Sequence, residues 1–218
     1  MVAAKPLVAS ACLALLFASA ALADDPTVRI RPADQDWAAR SLLKMLDFGV
    51  GWRGGRTPSR KVTSPSCPGF HPKVSDLVVT GHANASFTNP RAGVQVSLDV
   101  QVMRSVDDVR TDFGRTIRPG LADCLEYQFK QGTRNLIGVT VKRLDVPAVG
   151  GVTAAYRATL LVRTNGRTAT VLSDFLFFGH SRLEYSLNVV ASARYRQQLV
   201  PFESDMARIL VKRASRPE

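Results

Sequence analysis

Acidic residues are scarce in this chain, with 18 Asp and Glu against 29 Lys and Arg and a formal charge of +11. Cysteine and histidine are scarcer, with three of each. His71, His82 and His180 are scattered, with no HExxH and no Cys/His pair at ligand spacing, so no metal site is prescribed. No Gly-x-Ser-x-Gly elbow occurs, and no serine or threonine stands beside a histidine in a recognisable family pattern. We therefore assign no catalytic residue and no cofactor, and expect no enzymatic activity. Apolar runs of membrane length are absent beyond the first two dozen residues, which excludes a multi-span membrane protein. The basic excess follows no nucleic-acid-binding motif, so no nucleic-acid partner is expected.

Residues 1–23 read as a secretory signal peptide. Lys5 supplies the positive start, Leu7 to Leu22 the apolar stretch and Ala21-Leu22-Ala23 the small-residue cleavage site. That stretch is short for the about 20 apolar residues of a membrane span, so cleavage is expected to leave residues 24–218 as one domain with no transmembrane segment. A lipoprotein is disfavoured, because apolar sequence continues past Cys12, where a mature lipoprotein turns polar. The expected location is secreted or extracytoplasmic, in the cell envelope. Cleavage removes Cys12 and leaves Cys67 and Cys124. Two cysteines in an exported domain suggest one disulfide, the alternative being two buried thiols.

Arginine dominates the positive charge, 22 Arg against 7 Lys. From Phe48 to Ser75 there is no acidic residue, while Arg53, Arg56, Arg60, Lys61 and Lys73 occur. Glycine and proline crowd the same region, at Gly54-Gly55, Pro58, Pro65, Pro68 and Pro72, and predict a long irregular loop from Trp52 to Pro72. Loops of that length in compact domains are either functional or mobile. An uncompensated cationic segment attracts anionic surfaces through a force that salt screens, although a merely solvated loop has the same composition. Gly49 to Gly54 satisfies GxGxxG formally, but a helix precedes it and a Pro-rich stretch follows, the reverse of a dinucleotide site.

Asp34, then Trp37, Ala38, Leu42, Leu43, Met45 and Leu46, predicts an N-capped helix that Gly49 and Gly51 end. Strands are expected over 77–87 and 94–103, the second alternating Val94, Val96, Leu98, Val100 and Val102 with polar residues. Ser105 and Asp108 mark the start of a helix that Pro119-Gly120 breaks, and Leu121, Cys124 and Leu125 put a further helix's cysteine inward. Four more strands are expected at 138–144, 152–163, 168–178 and 182–190, with Asn165-Gly166 as a type I′ hairpin turn. Asp174 and Glu184 are expected to pair with Arg163, Arg167 or Arg182. A final helix carries Leu199, Phe202, Met206, Ile209 and Leu210, with Pro201 in its first turn. The fold class is α+β, a central mostly antiparallel sheet of about six strands covered by helices on both faces.

Asp47-Phe48-Gly49-Val50-Gly51-Trp52 resembles the Asp-Leu-Pro-x-Gly-Trp motif of exported actinobacterial-type proteins with the PsbP-like fold. The segments 171–178, 179–182 and 183–185 look like that family's paired C-terminal strands, and Cys67-Pro68-Gly69-Phe70 and Cys124-Leu125 like its cysteine-bearing segments. Phe48-Gly49 replaces the usual Leu-Pro, and His180-Ser181 stands where Gly-Arg is common. The resemblance implies an α/β/α sandwich, usually without catalysis. It transfers no partner and no binding residue.

The expected role is docking on an envelope protein or an anionic envelope surface. The candidate contact residues are Trp52, Arg53, Arg56, Arg60, Lys61, Phe70, His71 and Lys73. One alternative is a small-ligand or sensor domain with an apolar cleft near Trp52, Phe70 and Phe87. A third reading is a hydrolase whose histidine, serine and carboxylate meet only in the fold.

Overall fold

A computed structural model describes residues 24–215; the signal-peptide reading falls on residues outside this range. In chain order the elements are β1 (Thr27–Val28), α1 (Pro32–Arg40), β2 (Arg53–Thr57), β3 (Val78–Asn89), β4 (Val94–Met103), α2 (Val106–Thr116) and α3 (Leu121–Gly132). They continue with β5 (Leu136–Leu144), β6 (Val152–Thr164), β7 (Arg167–His180), β8 (Leu183–Ser192) and α4 (Arg196–Ala214). The eight strands form one sheet in the order β1-β3-β4-β8-β7-β6-β5, with β2 also paired to β3. Every pairing is antiparallel except β1 with β3. The sheet is larger than expected because β1 and β2 add to the six strands that alternation marks.

Alternation decides which face each strand buries. Val96, Leu98, Val100 and Val102 of β4 join Leu183, Tyr185, Leu187 and Val189 of β8 in a core that also holds Ala38 of α1 and Leu199, Met206 and Leu210 of α4. The opposite face carries two smaller cores. One gathers Phe70, Leu121, Cys124, Phe129 and Tyr156, and the other Val62, Val74, Leu77, Met103 and Val109. Helices thus cover both faces.

The expected first helix is shorter than its apolar spacing implies. It ends at Arg40, and Met45–Asp47 forms a separate 3₁₀ turn. The Lys44 backbone N–H donates to Asp47 at 2.6 Å, and Arg213 of α4 grips both Asp47 and the Leu42 carbonyl oxygen. These bonds fold the chain locally instead of continuing the helix. Pro32 occupies the first helical turn, and Asp34, expected as the N-cap, lies inside the helix where it pairs with Arg182.

The 52–72 loop is corrected too. Its first part is β2, an edge strand seated against residues 84–88 of β3. Gly54 permits that approach: at its φ of +136° a Cβ would lie 2.1 Å from the Ser86 carbonyl oxygen. Gly81 does the same for α1, since a Cβ there would sit 2.2 Å from the Asp34 carbonyl oxygen. Close backbone contact, with no side-chain alternation, is what makes β2 a strand.

Two further expectations change. The last helix begins at Arg196, so Pro201 lies within its body and leaves the Gln197 carbonyl without its usual N–H partner. Asp174 pairs with none of the expected arginines but with Arg157, which lies directly opposite it on β6. Asn165 and Gly166 do form the predicted turn, with φ of 49° and 73°.

Candidate binding surface and interior cleft

Of the candidate contact residues, Arg53 and Arg56 project from β2 as exposed side chains, and Arg60 follows with its backbone N–H donating to Asn84 Oδ1 at 3.2 Å. None of the three has an ion-pair partner among the described residues. Lys61 is exposed but neutralised by Asp25 at 2.8 Å. Asp25 also accepts from the Ser64 backbone N–H at 3.1 Å, which ties the segment to the chain start. Trp52 is half-buried, stacked on Phe202 of α4 at 6.0 Å and against Phe48 at 4.6 Å, so it works as a lid on the core.

Phe70 is not a contact residue. It is buried in the α3-side core, with the Arg118 guanidinium 5.3 Å from its ring centre. Beside it the Cys67–Cys124 disulfide joins the segment to α3, with the two Cα atoms 5.4 Å apart. His71 is exposed and hydrogen-bonds Ser66 Oγ at 2.8 Å. Lys73 is exposed as well, but its carbonyl is held by Arg115, which pairs with Asp76 at 2.5 Å. That guanidinium holds the Asp76 carboxyl below the usual carboxylate range. The expected single basic loop is therefore two parts: the unpaired Arg53 and Arg56 on β2 with Arg60 just beyond it, and a disulfide-anchored strap over the opposite face in which Asp25 neutralises Lys61. Phe70 and Val62 turn inward because they are the apolar residues of a stretch that must cover α2, α3 and the sheet.

Under that strap lies a cavity of about 100 Å³. Its floor is Asp99 and Gln101 of β4, Glu184 and Ser186 of β8 and Phe177 of β7, and α2 closes one side. Trp52 and Phe87 lie on the other face of the sheet, so the expected cleft joining them to Phe70 does not form. Asp99 accepts from Asn84 at 2.5 Å and is bonded to His82 Nε2 at 2.8 Å. Burial pushes the Asp112 carboxyl of α2 up to about 6. Burial, then the neighbouring Asp112, raises Glu184 well above the carboxylate range, and Glu184 meets Asp112 instead of the arginines expected for it. Sequence reading missed this pair because the two residues lie far apart in the chain and meet only when α2 crosses β8.

A hydrolytic triad needs one histidine bonded to both a hydroxyl and a carboxylate. Here His71 has the hydroxyl of Ser66 and His82 the carboxylate of Asp99, in separate places. Among the described residues no three or more His, Cys, Asp or Glu converge as a metal-ligand set. No helix among them is long and apolar enough to cross a membrane.

No family model and no curated protein matches the sequence. Among solved structures, similarity is found to the crystal structure of LpqN, described as involved in cell envelope biogenesis of Mycobacterium tuberculosis. The TM-score is 0.33 at 12% identity, over 73% of this chain and 76% of that one.

Proposed function

We propose that this protein is exported and acts by non-catalytic docking on an anionic component of the cell envelope, through Arg53 and Arg56 of β2 and Arg60 just beyond it. The observation that carries the reading is that Arg53 and Arg56 on an edge strand, and Arg60 three residues beyond it, stand exposed with no carboxylate among the described residues to neutralise them. Cationic side chains without an internal partner keep their full attraction for an anionic one. The signal-like leader and the resemblance to exported PsbP-like proteins support the location. Replacing Arg53, Arg56 and Arg60 together by serine is expected to lower retention on isolated envelopes about a hundredfold, at roughly 1 kcal/mol per arginine near an anionic surface. Wild-type retention should fall as salt rises. Sedimentation with envelopes across a salt series reads both effects, and retention that neither the substitutions nor salt alters removes the proposal.

The interior cleft favours a second reading, a carrier of a small ligand with both apolar and polar groups. Small organic fragments should then raise the melting temperature of the wild type, and a cavity-filling Phe113→Trp change should abolish the shift. A fragment screen with no such hit removes this alternative.

A further inference from the structure

The antiparallel order of the sheet gathers chain segments that are far apart in sequence. At one end lie the start of β2, the β3–β4 turn, the residues preceding β5, the β6–β7 turn and the β8–α4 connection. These segments carry seven arginines, Arg53, Arg91, Arg134, Arg163, Arg167, Arg194 and Arg196. All seven are exposed, and none has an ion-pair partner among the described residues. Residues 50–55, 86–97, 131–137, 161–170 and 190–198 contain no Asp or Glu. The N-terminus of the 19-residue α4 adds its partial positive charge at the same end.

The segments form one surface. Arg194 donates to the Ala92 carbonyl oxygen at 3.2 Å, joining the α4 start to the β3–β4 turn. The Arg163 N–H donates to the Asn135 carbonyl oxygen at 2.9 Å, joining the β6–β7 hairpin to the start of β5. Gly51 lies against the Asn89 side chain, which places Val50 on the same rim. The opposite end differs in kind: there the carboxylates Asp34 and Asp108 pair with Arg182 and Arg104.

Exposed apolar side chains share the basic rim. Val50 is fully exposed, and Ile137 and Leu161 project from the β5 and β6 strands beside Arg134 and Arg163. A protein partner is bound through a buried, tightly packed centre. The strap cavity lies elsewhere, and here a rim spans the sheet, on the order of 30 Å at about 4.8 Å per strand. Dispersed guanidinium forks suit phosphate oxygens, which they grip in pairs, and isolated apolar side chains between them suit the acyl boundary beneath a headgroup layer.

Resting on the docking reading above, we propose that the anionic partner is a phospholipid bilayer, met by this arginine rim with Val50, Ile137 and Leu161 dipping into the interface. The test is sedimentation of the protein with vesicles of phosphatidylcholine, alone or containing phosphatidylglycerol. Binding is expected to the mixed vesicles only and to weaken steeply with salt. Arg163→Ser with Arg167→Ser, and Arg194→Ser with Arg196→Ser, should each lower the partition coefficient about thirtyfold. Val50→Asp should lower it further. These are exposed turn or terminal positions, and unchanged melting curves would show that the fold is intact. Envelope retention that depends on Arg53, Arg56 and Arg60 without any vesicle binding overturns the bilayer and leaves docking on another envelope component standing. Vesicle binding that ignores the four rim substitutions overturns the rim.

Discussion

Replacing Arg157 by methionine should lower the unfolding free energy by about 3–5 kcal/mol, the usual cost of stranding one half of a buried ion pair. Arg157 donates from Nε to Asp174 Oδ1 at 2.7 Å and from Nη2 to Oδ2 at 2.5 Å, with the Asp174 residue only 1% exposed. Glu203 of α4, also 1% exposed, lies against Asp174, and burial together with that carboxylate pushes Glu203 up to about 9. Glu203 is therefore protonated at neutral pH, and neither of its carboxyl oxygens has a hydrogen-bond partner among the described residues. The Arg157 guanidinium balances the buried Asp174 charge, which is why its loss is severe.

The same group sets a pH dependence. The Glu203 carboxyl holds a proton in the folded chain up to about 9, against an ordinary value near 4.5 once unfolded. Between those limits the folded state binds the extra proton, so stability is greatest at the acid side and is lost as pH rises through the window. Glu203→Gln keeps the side-chain volume and removes the titration. Urea midpoints between pH 6 and 8 should decline for the wild type more steeply than for the variant, by up to about 1.4 kcal/mol per pH unit. Parallel pH profiles for the two proteins would show that Glu203 does not titrate in that window.

Loss of the Cys67–Cys124 disulfide is the second large effect. It spans a sequence separation of 57 residues, for which the chain-entropy relation gives about 4 kcal/mol. The paired Cys67→Ser, Cys124→Ser variant should lose that amount in urea unfolding. Amide exchange should rise most over residues 62–77, because the disulfide is the covalent tie between that strap and α3. The β2 arginines lie on the far side of that strap's start and are held by β3, so envelope retention should survive at temperatures where the variant is folded. Uniform exchange across the domain would mean that the disulfide stabilises the whole fold without fixing the strap.

Much of the sheet is legible in the chain. β4 and the hairpin of β6 and β7 follow from strict alternation and from Asn165-Gly166, whose backbone tolerates positive φ. The α2 start is legible as well, since the Asp108 N–H finds Ser105 Oγ at 3.0 Å. β2 is not, because Arg53–Thr57 has neither alternation nor β-branched side chains before Thr57, and β3 alone makes it a strand. The basic contact set is half legible: a count of charges finds Arg53 and Arg56 but cannot see that Asp25 cancels Lys61 or that Phe70 turns inward.

Local physics within the chain determined the α+β class, the turns, the inward face of Cys124 and the excess of arginine over acid, because side-chain alternation, backbone preference and formal charge act over a few residues. Tertiary structure alone decided that Asp174 meets Arg157, that Glu184 meets Asp112, and that seven dispersed arginines stand at one end of the sheet. Those outcomes depend on strand register and strand order, which are set by packing across the whole domain.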